Sequence, residues 1–360
     1  MNIDNQAIAA KKLVHEIRDI SSSASAPMKF MEVCGTHTMA IHETGLKSLL
    51  SPAVTLVSGP GCPVCVTEKQ FIDHAVLIGK KFDACLVTFG DLIRVPGSFG
   101  SLAQFRSEGG SVRVVYSPMD CIEISKKESS KPVVFLGVGF ETTSPTIAAT
   151  LRMALSENLA NFFVLPAFKT IHPALNILAP KPDLSGFLLP GHVSAIIGSD
   201  SYQYLADKYN KPGVVAGFEA LDILIAVRDL VKLASRKEAK ILNDYKRVVR
   251  NSGNVAAQNL INEVFEPCDT QWRGLGIIPG SGLTFREPYQ GFNAATKLVV
   301  DVPPAKDDPR CRCANIITGS LQPDKCGLFG KECTPEDPVG PCMVSSEGTC
   351  AAYYKYGTVK

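Results

Sequence analysis

Short apolar runs rich in β-branched residues recur along the first two thirds of the chain, and most end near a glycine or proline. Eight runs predict strands: Lys29–Val33, Val54–Ser58, Ala84–Thr88, Val112–Tyr116, Val133–Val138, Phe162–Leu165, Gly186–Leu189 and Val214–Gly217. Between them, helical periodicity is clearest over Ile41–Leu50, Glu68–Lys80, Thr146–Asn158 and Leu221–Lys240. Strands that alternate with helices of about 10–15 residues predict an α/β fold, with parallel sheets covered by helices on both faces.

The charged, serine-rich stretch 125–131 divides the eight predicted strands into two groups of four. We therefore expect a first α/β lobe over residues 28–127 and a second over residues 128–238. Each lobe would be a small doubly wound parallel sheet. Ligands of such sheets bind at the carboxyl ends of the strands, so functional residues are expected there.

The pattern changes after about Lys240, to one helix followed by glycine- and proline-rich turns. A single strand is predicted at Lys297–Val302, and a cysteine-rich tail follows it. We expect residues 239–360 to form a third, mainly helical or irregular domain. The N-terminal residues 1–27, with a predicted helix at Ala7–Ile20, are expected to join it.

Composition limits the classes of protein to which the chain can belong. With 360 residues and 45% apolar content, it can bury a large core. Its 37 basic and 35 acidic residues argue against a nucleic-acid partner, because phosphate binding needs a positive excess. Met1–Ala10 lacks a signal-peptide pattern, and Leu221–Ala234, the most apolar helical stretch, carries four charged residues. We expect a cytoplasmic protein that spans no membrane and keeps its thiols reduced.

The C-terminal tail holds six of the twelve cysteines: Cys311, Cys313, Cys326, Cys333, Cys342 and Cys350. The spacing Cys-x12-Cys-x6-Cys-x16-Cys is formed by Cys313, Cys326, Cys333 and Cys350. Zinc sites usually contain close pairs of cysteines, and the wide spacing here favours a [4Fe–4S] cluster instead. The alternative is that these thiols form disulfides or have no ligand role.

The first of three motifs at predicted strand ends is Met31–Thr38 (MEVCGTHT). Cys34 closes a strand, and Gly35 with Thr36 supplies the turn into the next helix. A thiol at a helix N-terminus is favoured as thiolate by the helix dipole. His37 could polarise that sulfur or add a nitrogen ligand. The alternative is a buried structural cysteine beside a surface histidine.

The second motif is Ser58–Val66 (SGPGCPVCV), in which Cys62 and Cys65 form a Cys-x-x-Cys pair between a strand and a helix. Thiol–disulfide oxidoreductases place an attacking thiolate and a resolving thiol in this arrangement. Half of a zinc site is the alternative, although its second half is not obvious. The spacing therefore favours redox chemistry.

The third motif is Leu136–Pro145 (LGVGFETTSP). It lacks the third glycine of a dinucleotide-binding fingerprint, so a nucleotide cofactor is not predicted. Glu141 is a candidate general base or proton donor, with Thr142 and Thr143 beside it. The alternative is that Thr143 or its neighbour caps the next helix and Glu141 complements the helix dipole.

Other cysteines and histidines carry weaker signals. His172 and His192 also follow predicted strands and could line the same cleft, but each is expected to be structural. Cys85 lies within an apolar strand and is expected in the core, while Cys121 and Cys268 receive no assignment.

Together these motifs resemble those of the HypD family of hydrogenase maturation factors. The resemblance is carried by Glu32–His37, Gly59–Val66, Gly139–Pro145 and Ser346–Cys350, and it extends over nearly the whole chain. The four-cysteine spacing of the tail is also similar to that family's cluster site.

This resemblance implies a function. Members of the family form a complex with the small protein HypC and hold an iron atom on which the Fe(CN)2CO moiety of [NiFe]-hydrogenase is assembled. HypE delivers the cyanides from its C-terminal thiocyanate. By resemblance, Cys34 would be the ligand of this transient Fe(II), with His37 nearby. The Cys62–Cys65 pair would supply two electrons, relayed from a [4Fe–4S] cluster.

The same resemblance places Glu141, Thr142 and Thr143 at the cleft, as proton donors or as groups that orient cyanide. A metallocentre-assembly scaffold with redox activity, monomeric when alone, is the first interpretation. The second is a free-standing iron–sulfur thiol–disulfide reductase, which would need neither Cys34 nor a stable partner. A zinc-stapled binding module without electron transfer is the third.

Overall fold

The computed structural model describes residues 3–22, 27–50 and 52–357. Its strands are β1 (Met28–Glu32), β2 (Val54–Ser58), β3 (Cys85–Thr88), β4 (Val112–Val114), β5 (Val133–Gly139), β6 (Phe162–Phe168), β7 (Gly186–Pro190), β8 (Gly213–Ala216), β9 (Ile241–Asn243), β10 (Phe265–Trp272) and β11 (Gly276–Phe285). All eight strands expected from apolar runs are confirmed, with small differences at their ends. Buried strands of parallel sheets are apolar on both faces, which is why their sequence signal is strong.

The longer helices are α1 (Ile3–Ser22), α2 (Gly35–Glu43), α3 (Leu46–Leu50), α4 (Pro63–Val66), α5 (Lys69–Phe82), α6 (Leu102–Ser107), α7 (Asp120–Lys127), α8 (Ser144–Ser156), α9 (Ile171–Leu178), α10 (Gly191–Ile197), α11 (Gln203–Tyr209), α12 (Ala220–Ser235), α13 (Val255–Val264), α14 (Ala294–Lys297), α15 (Cys313–Ile317) and α16 (Thr349–Tyr356). Short 3-10 turns occur at Gly90–Leu92, Asp200–Tyr202, Tyr289–Phe292, Pro323–Lys325 and Pro341–Met343. The helix predicted at Ile41–Leu50 is interrupted at Gly45, whose φ of 68° breaks the helical path. None of the described helices combines the length and apolar character that a bilayer span requires.

The strands form two parallel sheets and one antiparallel hairpin. The first sheet has the order β2-β1-β7-β8-β9, the second has the order β4-β3-β5-β6, and β10 pairs with β11. The predicted grouping of strands is therefore wrong, because β1 pairs with β7, placing Phe30 opposite Gly186. A boundary near residue 127 does not separate the sheets. Each sheet is nevertheless parallel and flanked by helices, as an α/β fold requires.

The region after residue 239 differs from its prediction in three respects. It contributes β9 to the first sheet, and it contains the β10–β11 hairpin. The strand predicted at Lys297–Val302 is absent: α14 ends at Lys297, and Val299 is 60% exposed. A three-residue edge strand and a hairpin containing Pro267 give weak local signals, because neither forms a continuous apolar run.

The N-terminal helix α1 packs on the first sheet rather than with the tail. Leu13 and Ile17 share a buried apolar cluster with Phe30 of β1 and Leu230 of α12. An ion pair between Glu16 and Lys232, with 2.6 Å between Oε1 and Nζ, lies beside this contact. For α1, the prediction that residues 1–27 join the third domain is therefore wrong, because its apolar face is covered by α12; residues 1–2 and 23–26 lie outside the described residues.

The cysteine tail packs against the helix that carries the Cys-x-x-Cys pair. Cys313, Ile316 and Met343 belong to the same buried apolar cluster as Cys65 and Val66. Burial of this kind is worth roughly 25 cal/mol per Å² of apolar surface. The tail is thereby held at the carboxyl end of β2.

Candidate functional site

Cys34 lies between β1 and α2, at the carboxyl end of β1, an inner strand of the first sheet. It occupies the N-cap position of α2, and only 8% of the residue is exposed. Burial raises the pKa of the Cys34 thiol to about 12, and the nearby Glu347 carboxylate adds to this shift. The expectation that the helix dipole makes Cys34 a thiolate is therefore wrong for the protein alone. A metal ion would have to displace the thiol proton.

His37 is fully buried and neutral, so the alternative of a surface histidine is wrong. Its Nε2 lies 2.9 Å from the Gly217 carbonyl oxygen, which can only accept, so the ring proton is on Nε2. Among the described residues, Nδ1 has no hydrogen-bond partner. Burial lowers the pKa of His37 to about 4, and the ring stacks on Phe218 at 4.6 Å. A neutral imidazole with a free Nδ1 can accept a proton or bind a metal.

Cys62 and Cys65 are free thiols on α4. Cys62 is the N-cap, and its Sγ accepts the backbone N–H of Cys65 at 3.2 Å. Burial raises the pKa of Cys65 well above its usual value, and contacts with Cys342 and Cys62 add to the shift. The two thiols therefore differ: Cys62 caps the helix, while Cys65 points towards the tail.

Gly61 brings the first two motifs into contact. A Cβ added at Gly61 would lie 2.5 Å from the Cys34 Cα, closer than side chains approach a backbone. The Gly35 N–H also donates to the Gly61 carbonyl oxygen at 3.3 Å. Only glycine fits here, and its absence of a side chain places the Cys62 loop directly against Cys34.

The tail thiols surround one cavity. It is lined by Cys311, Cys313, Cys326, Cys333 and Cys350, together with apolar side chains that include Leu328, Phe329 and Met343. All four predicted cluster ligands thus lie together, with Cys311 as a fifth thiol. Among the described residues, no three histidine, cysteine, aspartate or glutamate side chains already have the geometry of a metal site. An all-thiol donor set in apolar surroundings fits an iron–sulfur cluster, and thiolates also suit zinc.

Cys342, which the sequence left unassigned, lies between the Cys-x-x-Cys pair and this cavity. Hydrogen bonds with Cys313, Cys350 and Cys65 hold the pKa of Cys342 below its usual value. A Cβ added at the neighbouring Gly340 would lie 2.7 Å from the Cys313 Sγ. A chain of thiols therefore runs from Cys65 to the cavity. The only sequence signal for this position of Cys342 is the high density of cysteines in the tail.

The segment Ser345–Glu347 carries polar groups that sequence reasoning missed. Ser345 and Ser346 bind the Asp91 carboxylate, and Ser345 also contacts the Cys62 thiol. Glu347 Oε1 accepts the Thr36 hydroxyl at 2.6 Å, which holds the carboxyl beside the Cys34 loop. Burial raises the pKa of Glu347. Ser346 and Glu347, but not Ser345, belong to the motif Ser346–Cys350 that carries the resemblance. The contacts could not be predicted, because the partners Asp91 and Thr36 are far away in the sequence.

Glu141 follows β5, at the carboxyl end of the second sheet. Its Oε1 accepts the Ile171 N–H at 2.8 Å, whereas Oε2 has no partner among the described residues. Burial raises the pKa of Glu141 to about 7. Thr143 makes no side-chain hydrogen bond as the N-cap of α8, and Thr142 is exposed. The capping alternative is therefore wrong for Thr143, and the role of Thr142 stays a prediction.

Tyr202 links the two sheets electrostatically. The residue is fully buried, and its hydroxyl accepts a hydrogen bond from Ser194 at 3.3 Å. Burial raises the pKa of Tyr202 well above its usual value, and the charges of Glu141 and Cys34 add to the shift. Glu141 and Cys34 are therefore both near enough to this buried hydroxyl to affect its ionisation.

The two other strand-end histidines make structural contacts. His192 stacks on Phe218 at 3.9 Å. The His172 Nδ1 lies 3.3 Å from the Tyr204 hydroxyl, and burial lowers the pKa of His172 to about 4. Both contacts are those expected of packed histidines.

Replacing Glu141 with glutamine is expected to change the pH dependence of stability. The unfolded carboxyl ionises near pH 4.5 and the folded one near pH 7, so stability from Glu141 is present below pH 4.5 and lost as the pH rises through 7. Glu141→Gln stays neutral and still accepts the Ile171 N–H. Urea denaturation should find it about 2–3 kcal/mol more stable than the wild type at about pH 8, with the difference vanishing at low pH. Equal stability at both pH values would contradict this account.

Known proteins resemble this chain over almost its whole length. The family described as "HypD: Hydrogenase formation hypA family" matches residues 8–357. The hydrogenase maturation factor HypD of Escherichia coli strain K12 is 44% identical over 354 residues, covering 96% of this chain and 94% of that protein. HypD of Rhodobacter capsulatus is 41% identical over 359 residues, covering 97% and 95%. The chain therefore belongs to the HypD family of hydrogenase maturation factors.

Proposed function

We propose that this hydrogenase maturation factor is the scaffold on which the Fe(CN)2CO moiety of [NiFe]-hydrogenase is assembled. It would act with a HypC-type chaperone and receive cyanide from a HypE-type donor. The observation that carries the proposal is the close contact at Gly61, which brings the Cys62 loop against the Cys34 backbone. The thiol that would bind the metal and the dithiol that would supply the electrons thus adjoin each other.

Cys34 would bind the iron that is being assembled. A thiolate is a soft donor, which suits low-spin Fe(II) with cyanide and carbonyl ligands. Because burial opposes thiolate formation, the ionised sulfur is favoured only when the cation is present. The free Nδ1 of His37, three residues further on, offers a second donor or a proton acceptor. A cysteine of the HypC-type partner would complete the thiolate set.

Cys62 and Cys65 would release cyanide from the thiocyanate of the HypE-type donor. The sulfur of Cys62 attacks the thiocyanate sulfur, forming an S–S bond and breaking the S–CN bond, so that cyanide leaves. Cys65 then attacks Cys62, which releases the donor thiol and leaves a Cys62–Cys65 disulfide. The dithiol supplies both electrons and two protons, so the overall step is balanced.

The tail thiols would allow the disulfide to be reduced again. Cys313, Cys326, Cys333 and Cys350 would hold a [4Fe–4S] cluster, which supplies electrons one at a time when bound. Cys342, in contact with Cys65, joins this region to the disulfide. Glu141, with a pKa raised by burial to about 7, could hold a proton near Tyr202.

The same chain of thiols favours one rival, a free-standing iron–sulfur thiol–disulfide reductase. Such an enzyme would use Cys65, Cys342 and the cavity thiols without an iron substrate at Cys34. It would also need no stable protein partner. The two functions therefore differ in whether iron with cyanide and carbonyl ligands accumulates on the protein.

Infrared spectroscopy distinguishes them. The chain is produced with HypC-type and HypE-type proteins in a bacterium lacking its own HypD, then purified without oxygen. Bands of iron-bound cyanide and carbonyl, together with co-purified HypC-type protein, are the expected result. The Cys268→Ser variant, altered in the β10–β11 hairpin, should give the same bands. Dithiol reductase activity without such bands would establish the rival function.

A further inference from the structure

Three groups from distant parts of the chain form a hydrogen-bonded line that ends at Cys62. The Cys62 Sγ lies 3.3 Å from the Ser345 Oγ, and the Ser345 Oγ lies 3.1 Å from the Asp91 Oδ2. Cys62 follows β2 of the first sheet, whereas Asp91 lies in the turn after β3 of the second sheet. Ser345 comes from the tail, and its side chain is buried between them.

The direction of these hydrogen bonds follows from the chemistry of the groups. A carboxylate can only accept, so the single hydroxyl proton of Ser345 is donated to Asp91. The Ser345 oxygen is then left to accept, which it does from the Glu347 N–H at 3.2 Å and from the Cys62 S–H. Every proton in the line therefore points towards Asp91.

Asp91 is held in place by further donors. Its Oδ2 accepts the Ser346 hydroxyl at 2.8 Å and the Ser346 N–H at 3.2 Å. Asp91 is partly exposed, whereas Ser345 and Cys62 are 1% and 5% exposed. A fixed carboxylate at the surface can exchange a proton with solvent, while the buried thiol cannot do so directly. The line thus joins a buried sulfur to water.

We propose that Asp91 is the general base for Cys62 and acts through the Ser345 hydroxyl. When the sulfur of Cys62 attacks, its S–H bond breaks and the proton moves to the Ser345 Oγ. The Ser345 proton moves in the same step to Asp91, which becomes a carboxylic acid and later returns the proton to water. Asp91 acts through Ser345 and is a positioning and proton-accepting residue rather than one that touches substrate. The inference rests on the proposed function, because it assigns Cys62 as the attacking thiol.

The size of the effect is limited by ordinary thiol chemistry. An unassisted cysteine is only a few per cent ionised at pH 7, so complete assistance can accelerate its reactions by about ten- to thirtyfold. At about pH 10 an ordinary thiol is ionised without a base, and assistance should have no further effect. A variant that lacks only the proton acceptor should therefore react slowly at pH 7 and normally at about pH 10, whereas a variant with a damaged structure should differ from the wild type at both pH values.

Alkylation of the folded, anaerobically purified full chain by iodoacetamide measures this effect. The tryptic peptide of residues 48–69 contains Cys62 and Cys65 and no other cysteine, and fragment ions separate the two sites. Ser345→Ala interrupts the line. Asp91→Asn keeps an oxygen acceptor but cannot take the proton. Both should slow the labelling of Cys62 about ten- to thirtyfold at pH 7 and converge with the wild type at about pH 10.

Ser346→Ala is the matched control. It removes a hydroxyl from the same Asp91 oxygen, but Ser346 makes no hydrogen bond to Cys62 among those of the described residues. Because the Ser346 N–H still holds Asp91, Ser346→Ala should be slowed much less than Ser345→Ala, and Ser345→Thr, which keeps the hydroxyl, should react at close to the wild-type rate. The titratable groups nearby are Cys65 and Cys342 on the Cys62 side and Glu347 on the Asp91 side, and every variant keeps them.

Three results would overturn the inference. They are wild-type rates in Ser345→Ala or Asp91→Asn at pH 7, equal slowing at both pH values, and no labelling of Cys62 in the folded wild type. The proposed function is judged separately, by the infrared bands of the wild-type protein. If those bands form while Asp91→Asn reacts normally, the scaffold function stands and water takes the proton. If the bands are absent, the scaffold function fails whatever the labelling rates.

Discussion

Replacing Cys34 with alanine is expected to abolish hydrogenase maturation while the protein stays folded. Even residues that only support metal ligands contribute about ten- to a hundredfold to metal binding or activity, so loss of the ligand itself should reduce maturation more than about a hundredfold. The substitution removes one buried sulfur and should cost little stability, because it leaves only a small cavity. Hydrogenase activity in a strain that lacks its own HypD provides the measurement.

Further measurements on Cys34→Ala, and a control variant, show whether the loss of maturation is specific to the Cys34 thiol. Cys34→Ala should keep its tail-bound iron and should still form and reduce the Cys62–Cys65 disulfide, since these groups are held by α4 and the tail. Cys85→Ala removes another fully buried thiol, at the start of β3, and should leave maturation unchanged. If Cys34→Ala supports normal maturation, Cys34 is not the ligand of the iron, and the reductase interpretation becomes the better one.

The fold was predictable from sequence where burial produces an unbroken apolar run. The fully buried strand at Val133–Gly139 is an example, because both of its faces are covered. The order of the strands was not predictable, because β1 and β7 pair with each other although they are far apart in the sequence. Dividing the eight predicted strands into two groups by their position in the chain therefore gave the wrong sheets, although each strand was predicted correctly.

The candidate site shows the same contrast. Cys34, Cys62 and Glu141 could be placed at strand ends, because parallel sheets bring those ends to one edge. Their roles remain predictions. The contacts of Cys342 with Cys65 and of Glu347 with Thr36 could not be predicted, because each pair is far apart in the sequence and no local pattern specifies such a contact.

The protonation states of the site residues could not be predicted from the sequence either. The position of Cys34 at a helix N-terminus predicts a thiolate, but burial of the sulfur favours the neutral thiol. Taking a charge out of water outweighs a helix dipole, whose contribution is about 0.3–1 kcal/mol near a surface. The same effect keeps His37 neutral and raises the pKa of Glu141 to about 7. These three groups are therefore all uncharged or readily neutralised in the protein alone.

Replacing Cys326 with alanine is expected to remove the metal centre of the tail. With a [4Fe–4S] cluster, anaerobically purified wild type should contain about four irons and four sulfides, and the variant close to none. Thermal stability should fall as well, because metal binding in a segment with little apolar core contributes directly to folding. Iron and sulfide analysis, with visible and EPR spectra before and after reduction, provides the measurement.

Cys311→Ala is the matched comparison, because Cys311 lines the same cavity but lies outside the four-cysteine spacing. It should keep its iron and sulfide. The reverse pattern, with iron lost from Cys311→Ala and kept by Cys326→Ala, would show that the ligand set is wrong. One zinc and no sulfide in the wild type would instead make the tail a structural staple. Reduction of the Cys62–Cys65 disulfide would then require an external reductant, because Zn²⁺ does not undergo redox reactions in proteins.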